Sequence, residues 1–288
     1  MFRMPTLPPL FLSHGSPMLA LEPGPTGAFL QRLGPALDAA VGRPAAVLAV
    51  SAHSTARAPV LLAGARHHAV HDFGGFPDAL YRLRYDAPGA PALAGRVAAL
   101  LGAAGEAVHV LDAGGLDHGI WSMLRFLWPD ADVPVLVLAW PAHAPPARQF
   151  ALGQALAPLA DEGVLVLGTG SITHNLRRVV AGASGGPAPV DAPEVPESRA
   201  FRDWFAERSA ARDWEALRDY RRRAPFAVDM HPTDEHLLPW FVAAGAGSTG
   251  TAPVRLHAAV THGCLGMDAY AFGPAAATLA AHAVTAPG

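Results

Sequence analysis

Fourteen histidines and a single cysteine, Cys264, in a chain of 288 residues place its capacity for chemistry on imidazole and carboxylate rather than thiolate. One cysteine forms neither an internal disulfide nor a thiolate cluster, so any metal site must be built from His, Asp and Glu. Three of the histidines follow short apolar runs of strand character. His14 follows Leu10-Phe11-Leu12-Ser13, His53 follows Val47 to Ala52, and His174 follows Val164 to Leu167 by way of Gly168-Thr169-Gly170-Ser171-Ile172-Thr173. In open α/β sheets the ligand site forms where the carboxyl ends of strands meet loops, so these histidines are expected on one rim. Taken alone, each is more often a hydrogen-bonded loop residue than a ligand. Three on one rim point instead to a catalytic metal, because neutral imidazole is the common ligand of Zn and Fe(II). The short-spacing motifs of structural zinc sites are absent from the sequence.

Three further segments carry candidate chemistry. His118 lies in Leu116-Asp117-His118-Gly119-Ile120-Trp121, with Asp117 as a candidate N-cap. An imidazole at the positive end of a helix is held toward its neutral form, which suits a base. His231 and His236 flank Pro232-Thr233-Asp234-Glu235, which reads as a helix start. On a helix, Glu235 and His236 would stand about 100° apart, so only one of them would face a metal. His67, His68 and His71 precede Asp72-Phe73-Gly74-Gly75-Phe76-Pro77, whose phenylalanines suit either an apolar ring pocket or an anchored surface loop. The Gly168-Thr169-Gly170 stretch lacks the third glycine and the acidic partner of a dinucleotide fingerprint. The chain also contains no lysine, so nucleotide phosphates lack their usual cation.

The elements that must position these residues read as strands alternating with helices, the pattern of an α/β fold. Strands are expected at Pro9 to Ser13, Ala45 to Ser51, Pro59 to Ala63, Ala107 to Leu111, Val133 to Ala139, Gly163 to Gly168 and Pro253 to Val260. Helices are expected at Gly27 to Ala40, Pro91 to Ala104, Gly119 to Leu127, Ala147 to Asp161, Glu197 to Ser209, Trp214 to Arg223 and Glu235 to Ala244. The Gly, Pro, Ala and Ser-rich segment from Gly182 to Pro196 reads as a loop leading into a helical insertion at about 197–245. The expectation is one α/β catalytic domain over residues 1–288, with a central mostly parallel sheet flanked by helices.

Composition narrows the partners. Twenty-one Lys plus Arg stand against 24 Asp plus Glu, a net charge of -3 with no basic run, so nucleic acid is not expected as a partner. Apolar stretches such as Val133 to Trp140 fall far short of the roughly 20 residues needed to span a bilayer, so no membrane association is expected. Met1 to Pro9 carries one Arg and three prolines but no apolar core of signal-peptide length, which suggests a cytoplasmic protein.

Taken together, the motifs resemble the class III extradiol ring-cleavage dioxygenases, in the branch of DOPA 4,5-dioxygenase. The resemblance covers the segments around His14, His53, His71 to Tyr81, His118, His174 and His236, plus Gly266-Met267-Asp268. It implies one divalent metal per chain, Fe(II) for activity with Zn(II) as an alternative occupant, and a small aromatic diol and O2 as substrates. It also implies His14, His53 and His236 as metal ligands, with Glu235 as a substitute for the third. His174 is implied beside the metal as acid/base or a further ligand, and His118 as a supporting histidine. Two positions depart from the family pattern. Ser54 stands where Trp commonly follows Ser-Ala-His, and Gly263-Cys264-Leu265-Gly266-Met267 replaces Gly-Ser-Leu-Ser-Met. The rival readings are a zinc hydrolase or lyase on the same ligands and a non-catalytic metal-binding protein. The oligomeric state is left open.

Overall fold

A computed structural model describes residues 6–182, 186–247 and 249–285. Part of the Met1 to Pro9 segment and of the Gly182 to Pro196 loop therefore lies outside the described residues. An eight-stranded sheet runs through the molecule in the order β4-β3-β5-β2-β6-β1-β10-β7. Its strands are β1 Leu10–Ser13, β2 Ala46–Ser51, β3 Val60–Leu62, β4 His109–Leu111, β5 Val135–Ala139, β6 Val164–Gly170, β7 Val254–His257 and β10 Ala269–Ala271. The short strands β8 Val260–Thr261 and β9 Leu265–Gly266 pair with each other.

The central block β5-β2-β6-β1 is parallel and buried on both faces, which is why these strands read as continuous apolar runs. Successive side chains alternate between two cores, as the pleat requires. Leu48, Val50, Val166 and Leu138 pack with Phe150, Trp240 and Phe241 on one side, whereas Val47, Ala49, Leu167 and Val137 pack with Leu33, Trp121 and Leu124 on the other. The helices Pro91–Ala103, Pro146–Leu156 and Leu238–Ala246 cover the first face, and Gly24–Val41, His118–Leu127 and Ala276–Thr285 cover the second. Register brings the strand ends level, with Ser13 opposite Gly170 and Ser51 opposite Thr169. The residues that follow β1, β2 and β6 thus emerge side by side on one rim.

Several elements differ from the sequence expectation. β3 runs antiparallel to β5, since only a short loop separates it from β2 and no crossover helix turns the chain round. The expected strand Pro253 to Val260 keeps its sheet pairing only over Val254–His257, after which the chain leaves to form β8. β10, which had no strong apolar run to announce it, inserts antiparallel between β1 and β7. The helix expected at Ala147 to Asp161 tightens into a 3-10 turn from Ala157, because Pro158 has no N–H to continue the ladder. Trp214 to Arg223 is two short helices, Trp214–Arg218 and Tyr220–Arg223, separated at Asp219.

The helix expected from Glu235 begins at Leu238 instead. Pro239 explains the shift, since it fits the first turn of a helix but would break one that had started four residues earlier. Glu235 and His236 therefore occupy a turn, and the argument that only one of them can face the site no longer applies. The helix Leu238–Ala246 is buried at every position, as expected for a segment apolar all round.

Candidate metal centre and active site

Six side chains from separate segments converge on the rim. His14 follows β1, His53 lies two residues beyond β2, His118 opens the helix His118–Leu127, His174 lies in the loop after β6, and Glu235 and His236 lie in the turn before Leu238–Ala246. The donor atoms of His14, His53 and His118 lie within 4.8 Å of one another, and so do those of His174, Glu235 and His236. The two groups adjoin, with the His53 and His236 ring centroids 5.0 Å apart and those of His14 and His236 5.5 Å apart. His174 stacks flat on His236 at 3.4 Å between centroids.

The backbone is cut to admit this crowd. A Cβ at Gly119 would meet His14 Nδ1 and Ser51 Oγ at 2.9 Å, and one at Gly170 would lie 2.0 Å from the His236 carbonyl oxygen. Only glycine lets these segments approach so closely.

Oxygens behind the rings of His14, His53, His118 and His236 set which nitrogen faces inward. The Thr169 hydroxyl donates its one proton to the Gly119 carbonyl at 2.8 Å, so it accepts from His14 Nδ1, also at 2.8 Å. That leaves a lone pair on His14 Nε2. His236 Nδ1 faces Glu235 Oε1 at 3.1 Å, and His118 Nδ1 faces Asp72 Oδ1 at 3.0 Å. The other Asp72 oxygen lies 3.5 Å from His53 Nδ1. Each carboxylate favours a proton on Nδ1 and a bare Nε2. The consequence is sharpest between His14 and His53, whose Nε2 atoms stand 3.1 Å apart with their lone pairs opposed. Two acceptors at that distance repel unless a cation lies between them, and the spacing suits neighbouring ligands on an ion with metal–nitrogen bonds of about 2.1 Å.

Electrostatics keep the donors neutral. Burial is the main cause that lowers His14, His236, His53 (to about 4) and His174 (to about 3), with mutual repulsion among the imidazoles adding to it in all four. Burial acts against Asp72, yet the hydrogen bonds and charge of His118 and the charge of His53 outweigh it and hold the carboxylate ionised, at about 2. A cluster of neutral imidazoles backed by the ionised Asp72 carboxylate suits a divalent cation.

Two expectations change here. Asp117 does not cap the helix with its side chain; its carboxylate accepts from Ser51 Oγ at 2.7 Å and from Ser54 Oγ. Asp72 takes the capping bond instead, accepting from the His118 backbone N–H at 3.0 Å. The His67, His68, His71 segment does not join the cluster as a group. His67 is bonded to backbone at both ring nitrogens, while His71 packs among Phe73, Tyr81 and Trp121. Its phenylalanines do reach the site. Phe73 meets the His118 ring edge-on at 5.5 Å, and a cavity of about 440 Å³ opens over the histidines, walled by Phe73, Phe76, Leu176, Val179, Val180 and Leu265. Thr169, Asp72 as a support and the apolar wall after His174 were not marked by sequence reasoning. The trace they left is a polar residue within a buried apolar strand, an acidic residue after a histidine cluster, and apolar residues on a short exposed helix.

Comparison with known proteins agrees with this geometry. Residues 8–273 match the family described as the catalytic LigB subunit of aromatic ring-opening dioxygenase. A protein named 4,5-DOPA dioxygenase extradiol from Beta vulgaris is 35% identical over 264 residues, which cover 91% of this chain and 95% of the relative. A protein of the same name from Escherichia coli (strain K12) is 35% identical over 255 residues, covering 87% and 88%. The crystal structure of an uncharacterized protein from Escherichia coli K12 superposes with a TM-score of 0.72 at 28% identity, covering 93% of this chain and 100% of that one. The chain thus belongs to the family of catalytic LigB subunits of aromatic ring-opening dioxygenases and is by class an extradiol ring-cleavage dioxygenase.

Proposed function

We propose that the chain, as one catalytic domain over residues 1–288, binds a single Fe(II) on His14, His53 and His236 and opens the ring of a catechol with dioxygen in the cytoplasm. The observation that supports this reading is the pair of opposed Nε2 lone pairs on His14 and His53, with His236 presenting a third beside them. Bound there, Fe(II) would supply the redox chemistry that couples a catechol to dioxygen.

The remaining residues prepare the substrate. Thr169, Asp72 and Glu235 hold the rings of His14, His53 and His236 from behind. His174, neutral at physiological pH and without a hydrogen-bond partner for its ring among the described residues, accepts a phenolic proton of the diol and later returns it to an oxygen of the ring-opened product. His118, fixed by Asp72 with its Nε2 bare, accepts a hydrogen bond from a substrate hydroxyl. Phe73 and Phe76, themselves edge-to-face at 5.4 Å, supply one apolar wall against which an aromatic ring packs and from which water is displaced. The turn that carries His236 lies against the end of β6, where the His236 carbonyl accepts from the Ser171 N–H at 2.8 Å.

The test is to strip the protein of metal and restore Fe(II) or Zn(II) without oxygen, then admit oxygen with a panel of catechols. Oxygen uptake and a yellow ring-opened product are expected with iron and absent with zinc, which has no redox chemistry. Equal activity of both forms on an ester or amide, with no catechol consumed, would overturn the proposal in favour of a zinc hydrolase.

A further inference from the structure

The cavity over the histidines has a neighbour. A second cavity of about 480 Å³ shares Ser16 and His262 with it and is otherwise walled mainly by apolar side chains, among them Met18, Leu19, Val260 and Met267. The partition between the two is thin. Gly15, which follows the proposed ligand His14, has a φ of +57°, and a Cβ there would lie 2.5 Å from Met267 Sδ. On the site side, then, the wall is bare backbone, and on the far side it is a flexible methionine that fits irregular occupants.

His262 stands at the junction and is held from behind. Its backbone N–H donates to Val190 O at 3.0 Å, its Nδ1 donates to Ala188 O at 2.8 Å, and its φ of +52° is unusual for a residue with a side chain. The Ala188 bond places a proton on Nδ1 and fixes the orientation of the ring. Beyond it the charged residues of the second cavity are Glu22 and Asp191, both acidic, and no arginine lines either cavity among the described residues. No arginine along this path pairs with an anionic substituent, whereas beyond the junction an alkyl chain leaves water for the apolar surface of Met18, Leu19, Val260 and Met267.

We propose that the ring substrate carries an uncharged apolar substituent that passes the Ser16 and His262 junction and lies in the second cavity against Met18, Val260 and Met267. The inference rests on the catechol-opening reading above and adds the class of catechol.

The experiment measures kcat/KM of the Fe(II)-restored protein for alkylcatechols from methyl to butyl, for the same ring carrying a propionate, and for the ring carrying an ethylamine. Anaerobic calorimetry gives the affinity of each ligand without turnover. The expected result is a rise of roughly threefold per methylene until the cavity is filled, in kcat/KM and in affinity alike. The butyl compound should exceed the propionate by tenfold or more. Met18→Trp and Val260→Trp fill the cavity from different segments, so either should bring the butyl-to-methyl ratio close to one. A flat response to chain length, or a preference for the propionate or the amine, would overturn the proposal. If no catechol is cleaved, the dioxygenase reading of this chain fails, and the anaerobic affinities still decide whether the second cavity takes the chain. Should neither tryptophan variant fold, the chain-length series on the unaltered protein stands as the test.

Discussion

His14 and His67 are equally buried, each 2% exposed, yet they have opposite fates. His67 accepts from the Gly115 N–H at Nδ1 and donates to Val135 O at Nε2, both at 3.0 Å, so its ring ties loops to β5 and has no lone pair left. His14 gives its Nδ1 proton to Thr169 and turns a bare Nε2 toward His53. Neither residue type nor burial separates a ligand from a structural histidine. What separates them is whether the second nitrogen has been used by the backbone.

The largest expected effect comes from breaking this pair at both members. His14→Ala should reduce bound metal from one equivalent to near zero and abolish oxygen uptake, while the fold survives. His67→Ala should keep its metal and lose stability, since the Gly115 N–H and the Val135 carbonyl are left buried without partners, at about 1–3 kcal/mol for each. Metal analysis and thermal unfolding of the two variants check this. A His14→Ala protein that keeps its metal, or a His67→Ala protein that loses it, would break the comparison.

His174 and His118 sharpen it by separating proton transfer from metal holding. His174→Ala should retain metal and lower kcat roughly 100-fold or more, because no other imidazole replaces its proton transfer. His118→Ala, which removes a group oriented by Asp72, should cost about tenfold and also retain metal. Metal content measured beside kcat is decisive. If His118→Ala releases metal as His14→Ala does, then His118 belongs to the ligand set in place of His236.

The sequence revealed the parts of this arrangement that depend on local pattern. Runs such as Ala46–Ser51 and Val164–Gly170 are apolar because the sheet is covered on both faces, so the strands and the histidines after them could be read directly. β10 could not, because Ala269–Ala271 has only a short, weak pattern and gains its place by pairing with β1. The turn holding Glu235 and His236 has the acidic residues of a helix first turn, but Pro239 delays the helix to Leu238. Among the supports, Thr169 and Asp72 act on histidines 155 and 46 residues away, at His14 and His118. Separations of that kind are set by the register of β1, β2 and β6 and by the loop before His118–Leu127. No local spacing encodes them.

The smallest and most specific change is therefore at Thr169, which distinguishes His14 from His67 without touching either ring. Thr169→Val keeps the shape of a fully buried side chain and removes only the hydroxyl that accepts from His14 Nδ1 and donates to Gly119 O. His14 Nδ1–H then has no acceptor, and the ring gains by moving its proton to Nε2, where it can donate toward His53. That tautomer cannot bind a cation at Nε2. The expected outcome is a 10–100-fold loss of metal affinity, of the order found when the partner behind a ligating histidine is removed. Stability of the metal-free protein should change by only about 1–2 kcal/mol, the effect of the lost hydrogen bonds. Thr169→Ser retains the hydroxyl and should restore most of the affinity. Competition with a metal chelator measures all three proteins. Unchanged affinity in Thr169→Val would mean that His14 keeps its inward lone pair without this support, and that the hydrogen bond behind the ring is not what sets the two histidines apart.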